Sequence, residues 1–142
     1  MNETKLKWVT NVPFSMVPYS IVSQFNGHRF SISEFYESDI WRFPEHWNAG
    51  LFFEDRMIAF IYGTYDPLER DLFMKRLAAD PEFQMGIKNN LIQMVLNEVE
   101  NIARQKGAKI IWTMVSRKGF YRKRAGRGKI NRDKFILENE NF

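Results

Sequence analysis

The feature that most restricts the fold is a run of apolar residues at helical spacing that feeds directly into a strand. From Ile87, apolar side chains recur at Leu91, Met94, Val95, Leu96, Val99, Ile102 and Ala103, the period of one face of an α-helix. Gly107 follows, the residue type that ends helices in a left-handed conformation, with Arg104 and Lys106 set to meet the negative end of the dipole. The spacing predicts a helix of about 20 residues. Ala108–Val115 then reads as a strand buried on both faces, and Asp71–Ala79, ahead of the helix, reads as another strand. Strand, helix and buried strand form a βαβ unit, which requires at least one parallel strand pair.

The remaining segments are shorter. Leu6–Thr10 is a strand ended by Pro13, and a weak helical pattern over Val17–Phe25 stops at Asn26-Gly27. Ser31 and Glu34 have the spacing of a capping box, opening a segment through Trp41 that Pro44 limits. Ala49–Glu54 and Met57–Thr64 are β-rich runs separated by Asp55-Arg56, a hairpin, and Asp66-Pro67 turns the chain toward Asp71. Beyond the βαβ unit, Phe120–Ala125 reads as a short helix. Lys129–Glu138 reads as a last strand, with Ile130, Phe135 and Leu137 apolar. The expected class is α/β (α+β), with a mixed, mostly antiparallel sheet, a central parallel pair and flanking helices. At 142 residues the chain has room for one domain, spanning 1–142.

Composition removes several chemistries. The chain has no Cys, which excludes disulfides, thiolate zinc sites and a Cys nucleophile. His28 and His46 are its only imidazoles, so no dedicated metal site is expected. Apolar runs such as Met57–Tyr62 fall far short of the roughly 20 residues that span a bilayer, and Met1–Val9 lacks the apolar stretch of a secretory signal. The expected setting is cytoplasmic, without membrane contact. The net charge of +4 is uneven: Arg117–Lys134 holds nine Lys/Arg against Asp133, a local balance of +8, and the remainder balances at −4.

The junction of strand and long helix carries the parts of an anion site. Asp80-Pro81 ends the strand, and Gln84, Met85, Gly86, Ile87, Lys88 and Asn89 lead into the helix. Free amides at a helix start, together with the dipole, attract phosphate, and Gly86 would permit close backbone approach. The plain alternative is that Gly86 relieves a tight turn and Asp80 is a turn residue.

The order of elements, and above all Leu72–Val115 with its Asp80-Pro81-Glu-Phe-Gln84-Met-Gly86 junction, resembles the GNAT superfamily of N-acetyltransferases. The likeness runs from about Leu6 to Leu137. It implies acetyl-CoA as co-substrate and an amine as acceptor, with direct attack on the thioester. The end of the strand, at Leu77 and Ala79, would pair with the pantetheine arm, residues 84–89 would cradle the pyrophosphate, and Tyr121 would protonate the leaving thiolate. The loop departs from the family pattern. Anchored on Leu91-Ile92, Gly86 takes the central glycine, but Lys88 stands at the second small residue and Phe83 at the Gln/Arg. Anchored on Gln84, Ile87 stands at the central glycine. Around Tyr121 the glycine, Gly126, comes one residue late and no Phe follows.

Acyl transfer to an amine also needs a base. Glu54, Asp55, Glu69, Asp71 and Asp80 lie near strand ends, and Ser116 ends the buried strand, but no pair announces itself. Phe30, Phe35, Tyr36, Trp41, Phe43 and Trp47 could wall an acceptor site, or simply fill a small core. The basic 117–134 segment mixes aromatics, glycines and cations. Three readings stay open for it: a rim that attracts the CoA phosphates, a contact with nucleic acid or an acidic protein, or a solvated face. A second overall reading follows, in which a GNAT-fold binding protein without catalysis works through that segment.

Overall fold

The computed structural model describes residues 5–25, 32–114, 129–131 and 134–138. Its strands are β1 (Leu6–Thr10), β2 (His46–Phe53), β3 (Arg56–Asp66), β4 (Asp71–Ala79), β5 (Ile110–Met114), β6 (Lys129–Asn131) and β7 (Lys134–Glu138). Its α-helices are α1 (Tyr19–Val22), α2 (Ile32–Tyr36) and α3 (Pro81–Lys106), with 3-10 turns at Phe14–Met16, Ser23–Phe25 and Glu37–Arg42. The hydrogen-bonded strand order is β1-β2-β3-β4-β5-β7-β6. It is a mixed, mostly antiparallel sheet with β4 and β5 parallel, the class expected from the βαβ pattern. No described helix is long and apolar enough to cross a membrane. The chain divides into two compact units, Met1–Gly63 with Arg76–Ile87, and Thr64–Lys75 with Lys88–Phe142.

In the first unit β1 lies antiparallel on β2, with Leu6 opposite Phe53 and Thr10 opposite Ala49. The turn to β3 is Glu54-Asp55, where Glu54 takes a φ of 57°. The sequence placed this turn one residue later, at Asp55-Arg56. Because Glu54 accepts the left-handed conformation, Arg56 becomes the first residue of β3. Burial is continuous over Trp47–Phe52 and Met57–Gly63, as for strands covered on both faces. The core gathers Val12, Ile21, Ile32, Phe35, Phe52, Met57, Phe60 and Tyr62, with Tyr36 and Trp41 at its margin. Val12 shows how this interior satisfies its main chain. Its amide donates to Asn48 Oδ1 at 2.7 Å, and its carbonyl accepts from the Tyr36 hydroxyl at 2.5 Å. Burial pushes the Tyr36 phenol far above its ordinary value, which keeps it a donor.

In the second unit the parallel ladder runs from Asp71 opposite Ile110 to Met74 opposite Thr113. β7 pairs antiparallel with the other edge of β5. The sequence suggested one last strand over Lys129–Glu138, but β6 and β7 are separate strands paired antiparallel. Their register explains the difference. Ile130 and Phe135 are an odd number of residues apart and could not share a face of one straight strand, whereas in the pair they stand directly opposite. β5 is not buried on both faces as expected. Ile111 and Thr113 are buried, Ile110 and Trp112 are half-buried, and Met114 is exposed. Thr113, a polar residue on the inner face, is satisfied by donating to Met74 O at 2.8 Å.

Helix α3 supplies the apolar stripe read from its spacing, with Leu91, Val95, Leu96, Val99, Ile102 and Ala103 all buried. It stops where expected. Gly107 has a φ of 80°, its amide donates to Arg104 O, and that of Ala108 donates to Ala103 O at 2.9 Å. These are the two bonds of a Schellman ending. Burial pushes the carboxyl of half-buried Glu98 up from 4.5, against a smaller opposite effect of the Asn101 side chain. A value raised by folding means the native state holds the proton more readily, so ionisation opposes folding above the folded-state value and ceases to matter below 4.5. Glu98→Gln is therefore expected to be slightly more stable than the parent at pH 7, the gain being kept small by solvent screening. The gain should vanish near pH 4, as urea midpoints at the two pH values would reveal.

Candidate functional site

The first unit places the end of β4 and the start of α3 side by side in sequence, and both ends are held by side chains. Among the described residues the parallel ladder ends at Met74, yet β4 continues to Ala79. At its end Asp80 N donates to Ile58 O of β3 at 2.8 Å. Main-chain groups alternate between the two edges of a strand. Those of Ala79 and Leu77 therefore face the edge away from β3. On that edge Ala79 O accepts from Gln24 Nε2 at 2.8 Å, and the same carboxamide donates to Ser20 O at 2.9 Å. Nothing in the sequence singled out Gln24, whose partner is 55 residues away.

Asp80 is only 3% exposed. Its Oδ1 accepts from Glu82 N at 3.0 Å, the bond of a helix N-cap. Its Oδ2 meets Arg56 Nη2 at 2.6 Å and accepts from Ser20 Oγ at 3.5 Å. Arg56 also lies 3.5 Å from Glu82 Oε2. The sequence read Asp80 as a turn residue or as one of the carboxylates that could act as base. It is instead a buried carboxylate that closes the helix. Pro81 fits the first helical position because it brings no amide to satisfy. The helix thus opens six residues before the expected Ile87, and 84–89 are helical rather than a loop ahead of a helix. In a helix, amides from the fifth position onward bond the fourth carbonyl back. Of the four amide positions at the helix start, Asp80 N is bonded to β3, Pro81 has none and Glu82 N is capped.

The other candidates separate. Leu77 and Ala79 share the edge of β4 away from β3. Tyr121, Ser116, His28, Phe30 and nearly all of the basic segment lie outside the described residues. Glu54, Asp55 and Glu69 are exposed at turns, and Asp71 begins β4 half-buried. Phe35 and Trp47 are buried, Tyr36 and Trp41 half-buried, and the rings of Phe35, Tyr36, Phe60 and Tyr62 pack edge-on or tilted, so these belong to the core, whereas Phe43 is exposed. His46 packs its ring 5.8 Å from Phe35. No cluster of potential metal ligands occurs among the described residues. Of the basic segment, Lys134 is placed: its Nζ lies 4.6 Å over Trp112, whose ring stacks on Phe73 at 4.0 Å.

No protein-family model matches the sequence, and no curated protein matches it. Solved structures do. A putative acetyltransferase of the GNAT family from Desulfovibrio desulfuricans matches with a TM-score of 0.62 and 14% identity, over 94% of this chain and 98% of that one. A Bacillus subtilis acetyltransferase in complex with CoA gives a TM-score of 0.61 and 10% identity, over 94% and 97%. The PaiA N-acetyltransferase of Thermoplasma acidophilum, in complex with coenzyme A, gives 0.51 and 23% identity, with 66% of this chain matching 60% of that one. These likenesses show that the chain has the GNAT fold.

Proposed function

We propose that the chain is an acyl-CoA-dependent N-acetyltransferase, moving an acetyl group from coenzyme A to an amine. The observation that carries this reading is the edge of β4 at Leu77 and Ala79, main chain that runs past the parallel ladder. Structures of the same fold with coenzyme A bound support it. Coenzyme A would supply a thioester carbonyl as the electrophile.

The chain's own residues divide in how well they fit that donor. The amide and carbonyl groups of Leu77 and Ala79 suit an arm built of amides. The start of α3 does not suit a diphosphate in the way the sequence suggested, since Asp80 caps it and 84–89 are committed to helical bonds. With no Cys to carry an acyl group, the amine attacks directly. A C–N bond forms, the C–S bond breaks, the amine gives up a proton, and Tyr121 donates one to the departing thiolate.

Acetyl-CoA at about a hundredfold over its Kd is expected to stabilise the protein by about 2.7 kcal/mol. For a chain of this size that is a rise in Tm of roughly 8 °C. No shift at millimolar acetyl-CoA would sink the reading.

A further inference from the structure

The β4 edge and the α3 start differ in what they can still accept, and the difference bears on the donor. At the edge, Ala79 O already receives an amide N–H, that of the Gln24 carboxamide, which reaches it across 55 residues of sequence. A primary amide from the chain itself thus stands where an amide of a bound arm would donate. The edge is demonstrably receptive to that group. At the helix start the opposite holds: the capping position is filled by the buried Asp80 carboxylate, and exposed Glu82 adds a second negative charge in the first turn. Arg56 Nη2 is already shared between those two carboxylates. An incoming diphosphate would meet two like charges and a cation already paired.

Resting on the acyltransferase reading above, we propose that the donor is gripped through its amide-bearing arm and not through its diphosphate. The donor class is then acyl thioesters of pantetheine, with or without the nucleotide end. Gln24 occupies the arm's place at Ala79 until a donor displaces it.

Calorimetric titration of the full chain with acetyl-CoA and with S-acetylpantetheine tests this. The expected result is two dissociation constants within about tenfold of each other, since the nucleotide then adds less than one decade of affinity. Acetyl-CoA binding more than tenfold tighter, or S-acetylpantetheine not binding while acetyl-CoA does, would overturn the proposal. Failure of both ligands to bind would instead remove the acyltransferase reading, and this inference with it.

Discussion

Asp80→Ala is expected to lower the stability of the protein by about 2–3 kcal/mol, in a chain whose whole margin is on the order of 5–15 kcal/mol. Two losses combine. Removing an N-cap side chain costs about 1 kcal/mol, here by stripping Glu82 N of its acceptor. Removing the partner of a charge-assisted hydrogen bond adds about 1–2 kcal/mol. The second figure is held down because the Arg56 side chain is 51% exposed and can return to water, so no unpaired charge is left buried. Asp80→Asn keeps a good cap and loses only the charge, and should recover about half of the deficit. Urea unfolding of both variants is the measurement. An Asn variant as weak as the Ala variant would mean that the ion pair, and not the cap, holds this junction.

Phe60→Ala is expected to cost more, about 3–5 kcal/mol. Phe60 has no exposed surface, and its ring centroid lies 5.8 Å from that of Tyr62 and 6.4 Å from that of Tyr36. Truncation removes the transfer free energy of a phenyl group and leaves a hole among rings that cannot collapse into it. Phe60→Leu keeps much of the volume and should cost about 1–1.5 kcal/mol. Denaturation midpoints would rank the two. An alanine variant within 1 kcal/mol of the parent would show that the surrounding rings do close the gap, contrary to the close packing of interiors.

What could be read from the sequence depended on periodicity. The stripe of α3, its stop at Gly107, and the bounds of β1 and β4 follow from patterns that repeat over several residues. Two features were misread because local chemistry had two meanings. Asp80-Pro81-Glu82 is a cap, a first helical residue and an acid in the first turn, but Gly86 weighed toward a loop and delayed the helix. Arg56 was assigned to a turn because Asp-Arg is polar, and a shift of one residue put it on β3 within reach of Asp80. Gln24 left no pattern at all. A neutral side chain meeting a distant carbonyl is specified by tertiary structure alone, and the same is true of Tyr36 on Val12.

The column of Phe73, Trp112 and Lys134 joins residues from β4, β5 and β7. Its members are distant along the chain, so the indole acquires these neighbours only once three strands have met. Parallel pairing across a long intervening helix is a slow kind of contact to form. With Trp8, Trp41 and Trp47 changed to Phe, the emission of Trp112 becomes a clock for that event. A stopped-flow trace would then time the closing of the β4–β5–β7 sheet apart from the formation of α3, which far-ultraviolet dichroism follows.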